Sequence, residues 1–337
     1  MDGISIVVCT FNGEKRIVEV LRHIVKLQSV CSWELIIVNN ASTDSTVLIC
    51  EQFLTANGNL IDWAIVTEDN PGLNFARKRG LEVSKFDFIL FCDDDNLLHE
   101  QYLKVAYPIL SGNSGIGVLG GCGIPIITGQ VPGWFERFSH SYAVGHQAKQ
   151  SGRLTDFPAE VYGACAFFRK EPLLSFFKNG FQTVMTDRKG NSLVSGGDVE
   201  LCYLEQLSGY SVWFNSSLFF DHLIPANRLT WKYYLELKKG IVAGSAKLMA
   251  YRVLLEKERS SFVRFVSCYL TNLMRVFLVY LNFQITKRIS TKYSQEDVDL
   301  AHAILPVKLI GFLTGFIPAC KHFIFLSRFV QRHKSVR

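Results

Sequence analysis

The sequence contains no Cys-x-x-Cys pair and no zinc-like spacing of cysteine and histidine. Its nine cysteines are odd in number and scattered, mostly inside apolar runs. That argues against a disulfide framework and for buried thiols in a reducing compartment. No Gly-x-Gly-x-x-Gly turn follows the first apolar strand; Thr10-Phe11-Asn12-Gly13-Glu14 stands there, which argues against a dinucleotide-binding dehydrogenase. Internal repeats and low-complexity linkers are lacking too. Asp2 follows Met1 directly, with no basic leader and only a short apolar run from Ile4 to Cys9, so no secretory signal is expected.

One further absence is local. From Ala301 to the end there is no acidic residue, while Lys308, Lys321, Arg328, Arg332, Lys334 and Arg337 carry positive charge. These six match the whole formal excess of +6, so the first 300 residues balance. A basic body seeking nucleic acid is therefore not indicated. A basic, apolar tail directed at an anionic membrane surface is.

What is present begins with alternation. Ile4–Thr10 reads as a buried strand and Glu14–Leu27 as a helix, with Ile17, Val20, Leu21, Ile24 and Leu27 at helical spacing. Glu34–Asn39 is a second strand, and Ser42-Thr43-Asp44 supplies capping side chains for the helix after it. Trp63–Thr67 is a third strand, Leu73–Val83 a helix, and Phe86–Cys92 a fourth strand. Such βαβ repetition implies an α/β fold with a doubly wound, mainly parallel sheet flanked by helices. The glycine-rich stretch from Gly115 to Gly123 suggests strands and turns, a short helix follows Pro172, and Gly196-Gly197 precedes a helix over Asp198–Leu207. Beyond about residue 235 the texture becomes that of a C-terminal apolar helical extension. The expected division is one domain over 1–235, in halves of 1–100 and 101–235, then a membrane-associating extension over 236–337. Phe262–Phe283 is apolar over most of a helical circumference, with Arg264, Ser267, Thr271, Arg275 and Asn282 on one stripe. The apolar segment between Lys308 and Lys321, which contains Gly311, Gly315 and Pro318, is short between its charges for a bilayer, favouring interfacial or re-entrant attachment over spanning.

Ligands of doubly wound sheets bind beyond the carboxyl ends of strands, where Thr10, Asn12, Asn39, Asn40 and the triplet Asp93-Asp94-Asp95 fall. Three adjacent carboxylates repel one another and need compensation by a cation. Alternation along the strand lets Asp93 and Asp95 converge on one ion while Asp94 faces elsewhere. Oxygen ligands of this kind suit Mg2+ or Mn2+ shared with a diphosphate.

At these residues the chain resembles a known family. Ser5–Asn12 (SIVVCTFN), Glu34–Asp44 (ELIIVNNASTD), Asn70–Gly80 (NPGLNFARKRG), Tyr162–Arg169 (YGACAFFR) and Gly196–Leu201 (GGDVEL) are similar to motifs of family 2 glycosyltransferases of the GT-A fold, in that family's order. The resemblance runs to roughly Tyr234 and equates the acidic triplet with the family's Asp-x-Asp motif. It implies an inverting sugar transfer from a nucleotide donor, UDP-sugar favoured, to a saccharide or lipid-linked acceptor in surface polysaccharide assembly. Thr10, Asn12 and Glu14 would lie along the nucleotide, Asn39 and Asp44 near the base, and Arg77 beside the diphosphate or base pocket. Asp93 would contact ribose or metal, Asp95 would be the main metal ligand, and His222 a further one; Asp94 is placed on the donor side. Asp198 would be the catalytic base, with Gly163 and Glu200 on the acceptor side. Glu200, two residues past Asp198, faces a different side of the helix, so one carboxylate of the two should reach an acceptor. Arg228 reads as an ordinary surface arginine.

The chain departs from the pattern at three positions. Asn39 stands where many members carry Asp, Gly197 replaces the glutamate that usually precedes the catalytic aspartate, and Lys78 stands where Asn is common. Two other classes stay open on the sequence: a nucleotidyltransferase-like enzyme, and a non-catalytic, membrane-bound carbohydrate-binding module. The expected location is the cytoplasmic face of the cell membrane.

Overall fold

The computed structural model describes residues 1–58, 60–188, 192–256, 260–286 and 294–334. The chain divides into two compact units, 1–190 with 197–229, and 191–196 with 230–337.

The first unit is built on a nine-stranded mixed sheet. Strands β1 (Ile4–Thr10), β2 (Trp33–Asn39), β3 (Asp62–Thr67) and β4 (Phe88–Asp93) are mutually parallel, in the order β3-β2-β1-β4. Helices α1 (Ile17–Ile24), α2 (Thr46–Asn57) and α3 (Leu73–Val83) connect them. β1 and β2 are continuous apolar runs because helices cover both faces there. β3, at the edge, is more exposed. Ile6, Val8, Leu35, Ile37 and Leu90 are fully or almost fully buried, together with Val20, Leu21 and Ile24 of α1. Each such side chain contributes roughly 1.5–3 kcal/mol relative to exposure. Close packing of α3 needs Gly80, where a Cβ would lie 2.3 Å from Val7 Cγ1.

Register sets the rim of the sheet. Thr10 pairs with Asn39, Asn39 with Thr67, and Cys9 with Asp93, so the polar residues that end these strands form one edge. α1 is shorter than the expected Glu14–Leu27, because the preceding turn is held away from helical geometry. Gly13 N donates to Thr46 Oγ1 at 2.7 Å, and the Arg16 guanidinium donates to the carbonyls of Phe11 and Asn12 at 3.0 Å.

The other half of the sheet is mixed. β5 (Asn96–Leu98) follows the acidic triplet and occupies the far edge, after which comes α4 (Tyr102–Ser111). The glycine-rich run expected to form strands and turns is a single strand, β6 (Ile116–Thr128), whose glycines absorb two register shifts instead of breaking the chain. After a short helix α5 (Phe135–Phe138) come β7 (Gly152–Arg153) and β8 (Ala166–Arg169), the latter antiparallel between β4 and β6. Then follow α6 (Lys170–Lys178), α7 (Gly197–Leu207) and β9 (Ser211–Pro225), which runs parallel to β6 and antiparallel to β5. All nine cysteines are free and six are buried; burial pushes the Cys50 thiol up to about 12.

The second unit is helical: α8 (Trp231–Ala243), α9 (Met249–Leu255), α10 (Phe262–Thr286) and α11 (Gln295–Lys334). Phe265 stacks on Phe323 at 4.7 Å, Tyr269 packs against Phe312 and Phe316, and Phe283 against His302, so α10 and α11 run antiparallel. α11 continues without a break through Pro306, Gly311, Gly315 and Pro318. Leu270, Met274 and Leu278 of α10, with Ile310, Leu313 and Ile317 of α11, are half-exposed or more.

Candidate active site

The loops after β1 and β2 are tied to each other by the residues expected to meet the nucleotide. Asn12 takes a left-handed conformation (φ 49°) and its Oδ1 accepts from Thr43 N at 2.8 Å. Glu14 Oε2 accepts from Ser45 N at 3.2 Å, and Glu14 N donates to Asp44 Oδ2 at 3.2 Å. Asn39 Oδ1 accepts from Ser42 N at 3.1 Å. Asp44 also receives the Thr46 amide and hydroxyl. Slight burial opposes its charge, but these donors prevail and hold its carboxyl below the usual range. The rim is thus pre-ordered by its own side chains.

The acidic triplet splits three ways: β4 ends at Asp93, so Asp94 and Asp95 lie in the turn before β5 and strand alternation does not govern them. Asp94 turns into the protein, where Arg16 Nε and Nη2 donate to its two oxygens at 2.8 and 2.7 Å and Thr10 Oγ1 donates at 2.6 Å. Thr10 and Asp94, both assigned to the donor, are engaged in this clasp, and Arg16 carried no sequence signal for it. Asp93, with one edge open to solvent, lies 3.9 Å from Arg77. Asp95 Oδ2 receives Arg228 Nη1 at 2.8 Å and lies 3.7 Å from His222 Nε2. The antiparallel pairing of Asn96 with His222 brings these distant residues together. Arg228 is therefore not an ordinary surface arginine: it follows β9 in a 3-10 turn, and its carbonyl accepts from Tyr142 Oη at 2.9 Å.

Arg77 is buried on α3, a second partner away from the rim. Its Nη1 donates to Asp187 at 2.8 Å, and Asp93 and Asp198 also lie within its field. Asp187, likewise buried, had no periodicity to mark it in its irregular loop. Asp198 opens α7 and is half-buried. Its Oδ2 accepts from Gly163 N at 2.8 Å and its Oδ1 from Val199 N at 2.9 Å. A Cβ on Gly163 would lie 2.4 Å from that of Asp198, so only glycine lets the acid approach this backbone. Gly163 thus supports Asp198 directly. Glu200 does not reach an acceptor side: it is fully buried, and its oxygens accept the amides of Val184 at 2.9 Å and Met185 at 3.0 Å. The helical turn that presents Asp198 directs Glu200 into the protein. Phe167 and Phe168 are core.

Among the described residues, no three His, Cys, Asp or Glu side chains gather closely enough to hold an ion by themselves. The chemistry of the donor set nonetheless fits an ion shared with a diphosphate, which needs only one or two carboxylates from the protein. Desolvation pushes the Asp93 carboxyl up, Arg77 pulls it back, and Asp95 pushes it further up. Asp95 moves the other way: burial opposes its charge, but His222 and Arg228 outweigh that and hold it below the usual range. A cation beside Asp93 would offset the burial and the neighbouring Asp95 charge that disfavour its ionised form. Among the described residues, buried His222 Nδ1 has no hydrogen-bond partner.

A family model described as "Glycosyl transferase family 2" matches residues 5–177. The chain belongs to this family. Among its relatives, glycosyltransferase GlyG of Streptococcus pneumoniae serotype 4 is 31% identical over 104 residues, which are 31% of this chain and 34% of that protein. Two further curated relatives are spanned over only 15% and 38% of their lengths. The mannosyltransferase PcManGT of Pyrobaculum calidifontis, solved with GDP-Man and Mn2+, shares the fold at a TM-score of 0.57 and 15% identity, over 93% of this chain and 86% of that one. S. aureus TarS 1-349, solved with UDP-GlcNAc, gives a TM-score of 0.53 at 15% identity, over 90% and 79%. At these identities the likeness concerns the GT-A fold. In this family 2 chain the matched segment holds the rim loops, the triplet, Arg77 and Gly163, whereas Asp187, Asp198, His222 and Arg228 lie beyond it.

Proposed function

We propose that this chain is an inverting glycosyltransferase that moves a sugar from a nucleoside-diphosphate donor to an acceptor hydroxyl. The observation that carries the reading is the cluster at the rim: Asp93 beside Arg77, whose field also takes in Asp198, an acid braced by the Gly163 amide.

Asp95, with Asp93 or His222 beside it and the donor's diphosphate completing the set, would hold Mg2+ or Mn2+, which when bound neutralises charge on the departing nucleoside diphosphate. Arg77 and Arg228 add fixed positive charge where that leaving group develops its own. Asp198 takes the proton from the acceptor hydroxyl as its oxygen attacks the anomeric carbon. The bond to the diphosphate breaks on the opposite face, so one displacement inverts the anomeric centre, with no carboxylate nucleophile. Asn12, Glu14, Asn39 and Asp44 frame the nucleotide end. Asn39 offers an amide in place of a carboxylate, and its carbonyl can still accept from a base imide; UDP-sugars are favoured on the family resemblance, not on this residue. Screening UDP- and GDP-sugars with Mn2+ for a rise in melting temperature, then for transfer, tests the reading. Donor-dependent stabilisation followed by turnover is expected; stabilisation by nucleoside triphosphates alone, with pyrophosphate release, would favour a nucleotidyltransferase.

The helical unit supports attachment to an anionic membrane on the cytoplasmic face. Helices over 262–286 and 295–332 are long and apolar enough to cross a bilayer. Their antiparallel pairing, however, puts Arg275 and Lys308 at about one level midway along the hairpin. Spanning would bury both cations near the bilayer centre, which is costly, whereas lying in the interface lets them reach headgroups. A saccharide acceptor on a lipid carrier suits that placement. The full chain should float with anionic liposomes at low salt and be released by high salt or by neutral lipid; a protein that stays in the soluble fraction with either lipid would contradict the attachment.

A further inference from the structure

Gly197 is where this chain lacks the glutamate that the resemblance leads one to expect before the catalytic aspartate. A Cβ placed on Gly197 would lie 2.5 Å from Asp187 Oδ2 and 2.4 Å from Asn74 Oδ1. The space that a side chain at 197 would enter is thus already filled by the Asn74 amide and by another carboxylate, that of Asp187.

That carboxylate is held firmly. Arg77 Nη1 donates to it at 2.8 Å, and both side chains are buried. The loop carrying it is fixed at several points. Glu200 accepts the amides of Val184 and Met185, Asn74 Nδ2 donates to Met185 O at 2.5 Å, and Leu73 N donates to Arg188 O at 3.1 Å. Asp187 itself adopts φ 51°, a left-handed conformation that costs a non-glycine residue and persists where the surroundings impose it. Without Asp187, the buried Arg77 would keep, among the described residues, only Asp93, at 3.9 Å, as an ion-pair partner.

We propose that Asp187 performs the part of the carboxylate missing at position 197: it is the positioning residue that locks Arg77 toward the donor diphosphate beside the first turn of α7, where Asp198 is presented. The two positions are alternatives. An acid at both would force two carboxylates into one space, and an acid at neither would leave Arg77 free to turn. This inference rests on the glycosyltransfer reading of the site and names a residue within it.

The test is a double-mutant cycle on the full chain, with parent, Asp187→Gly, Gly197→Glu and the double variant, plus Asp187→Asn. Glycine is at ease at φ 51°, so Asp187→Gly removes the carboxylate without straining the backbone. Readouts are affinity for UDP and for GDP with Mn2+, kcat and KM for transfer, and urea stability. Loss of an orienting partner of this kind costs about tenfold or more, so Asp187→Gly should weaken nucleotide binding and lower kcat by that factor. Asp187→Asn, which keeps shape but not charge, should fall with it, and Gly197→Glu alone should also be impaired. Because Asn74 Oδ1 would still lie 2.4 Å from a Cβ at 197, the double variant is also made with Asn74→Ala, and in that background it should recover most of the loss. With Asn74→Ala present, a double variant no better than Asp187→Gly, or a Gly197→Glu protein indistinguishable from parent, would overturn the proposal. Should the parent bind neither nucleotide, the donor reading fails; the urea cycle then still decides whether the two positions share one space, additive effects counting against it.

Discussion

Asp198→Asn lowers sugar transfer by roughly 10²–10⁴-fold, the range that a lost general base commands, while nucleotide affinity with Mn2+ stays close to that of the parent. The asparagine carbonyl can still accept from Gly163 N, and its shape fits beside that glycine, so the variant should fold and present the same pocket. What disappears is the capacity to take the acceptor's proton. Single-turnover rates compared with nucleotide titrations check this directly. Donor hydrolysis and transfer both preserved in Asp198→Asn would remove the acid from the mechanism.

The second large effect falls on Asp95. Asp95→Ala removes the carboxylate that pairs with Arg228 and faces His222. Donor binding should lose its dependence on Mn2+, and transfer should fall by about 10²–10³-fold, as when one preorganised electrostatic contact to a developing charge is deleted. Asp94→Ala makes the informative contrast. It strips Arg16 and Thr10 of their shared partner, so its cost should appear as lost stability, with the metal dependence of donor binding retained. Mn2+ titrations of nucleotide binding and thermal melts on both variants separate the two. Equal behaviour of Asp94→Ala and Asp95→Ala would mean that the triplet acts as one undivided acidic patch.

Much of this was legible in the residues because parallel strands buried on both faces announce themselves as apolar runs. Where those runs end is where the chemistry sits. The four strands of the first half and the helix over Leu73–Val83 follow from short-range pattern. What sequence reading missed depends on pairs far apart in the chain. Arg228 reads as a surface residue until β9 brings it to Asp95, 133 residues away. Asp187 lies in an irregular loop, and only its ion pair with Arg77 reveals it. Glu200 was placed with the acceptor because it neighbours Asp198, but its two oxygens anchor the Val184–Met185 backbone instead. The glycine-rich run misled for another reason: glycine marks bulges as well as turns, and β6 uses it for the former. In α11, Pro306 and Pro318 interrupt the hydrogen-bond ladder without ending the helix.

The central claim is that acids at the strand rim grip a donor's diphosphate within reach of Asp198. A crystal structure of the full chain with Mn2+ and the nucleotide sugar that stabilises it most tests this directly. The metal should be found bound to Asp95 and to the diphosphate, with the anomeric carbon turned toward Asp198. A nucleotide bound elsewhere, with Arg228 still closed on Asp95 and no metal between them, would contradict it.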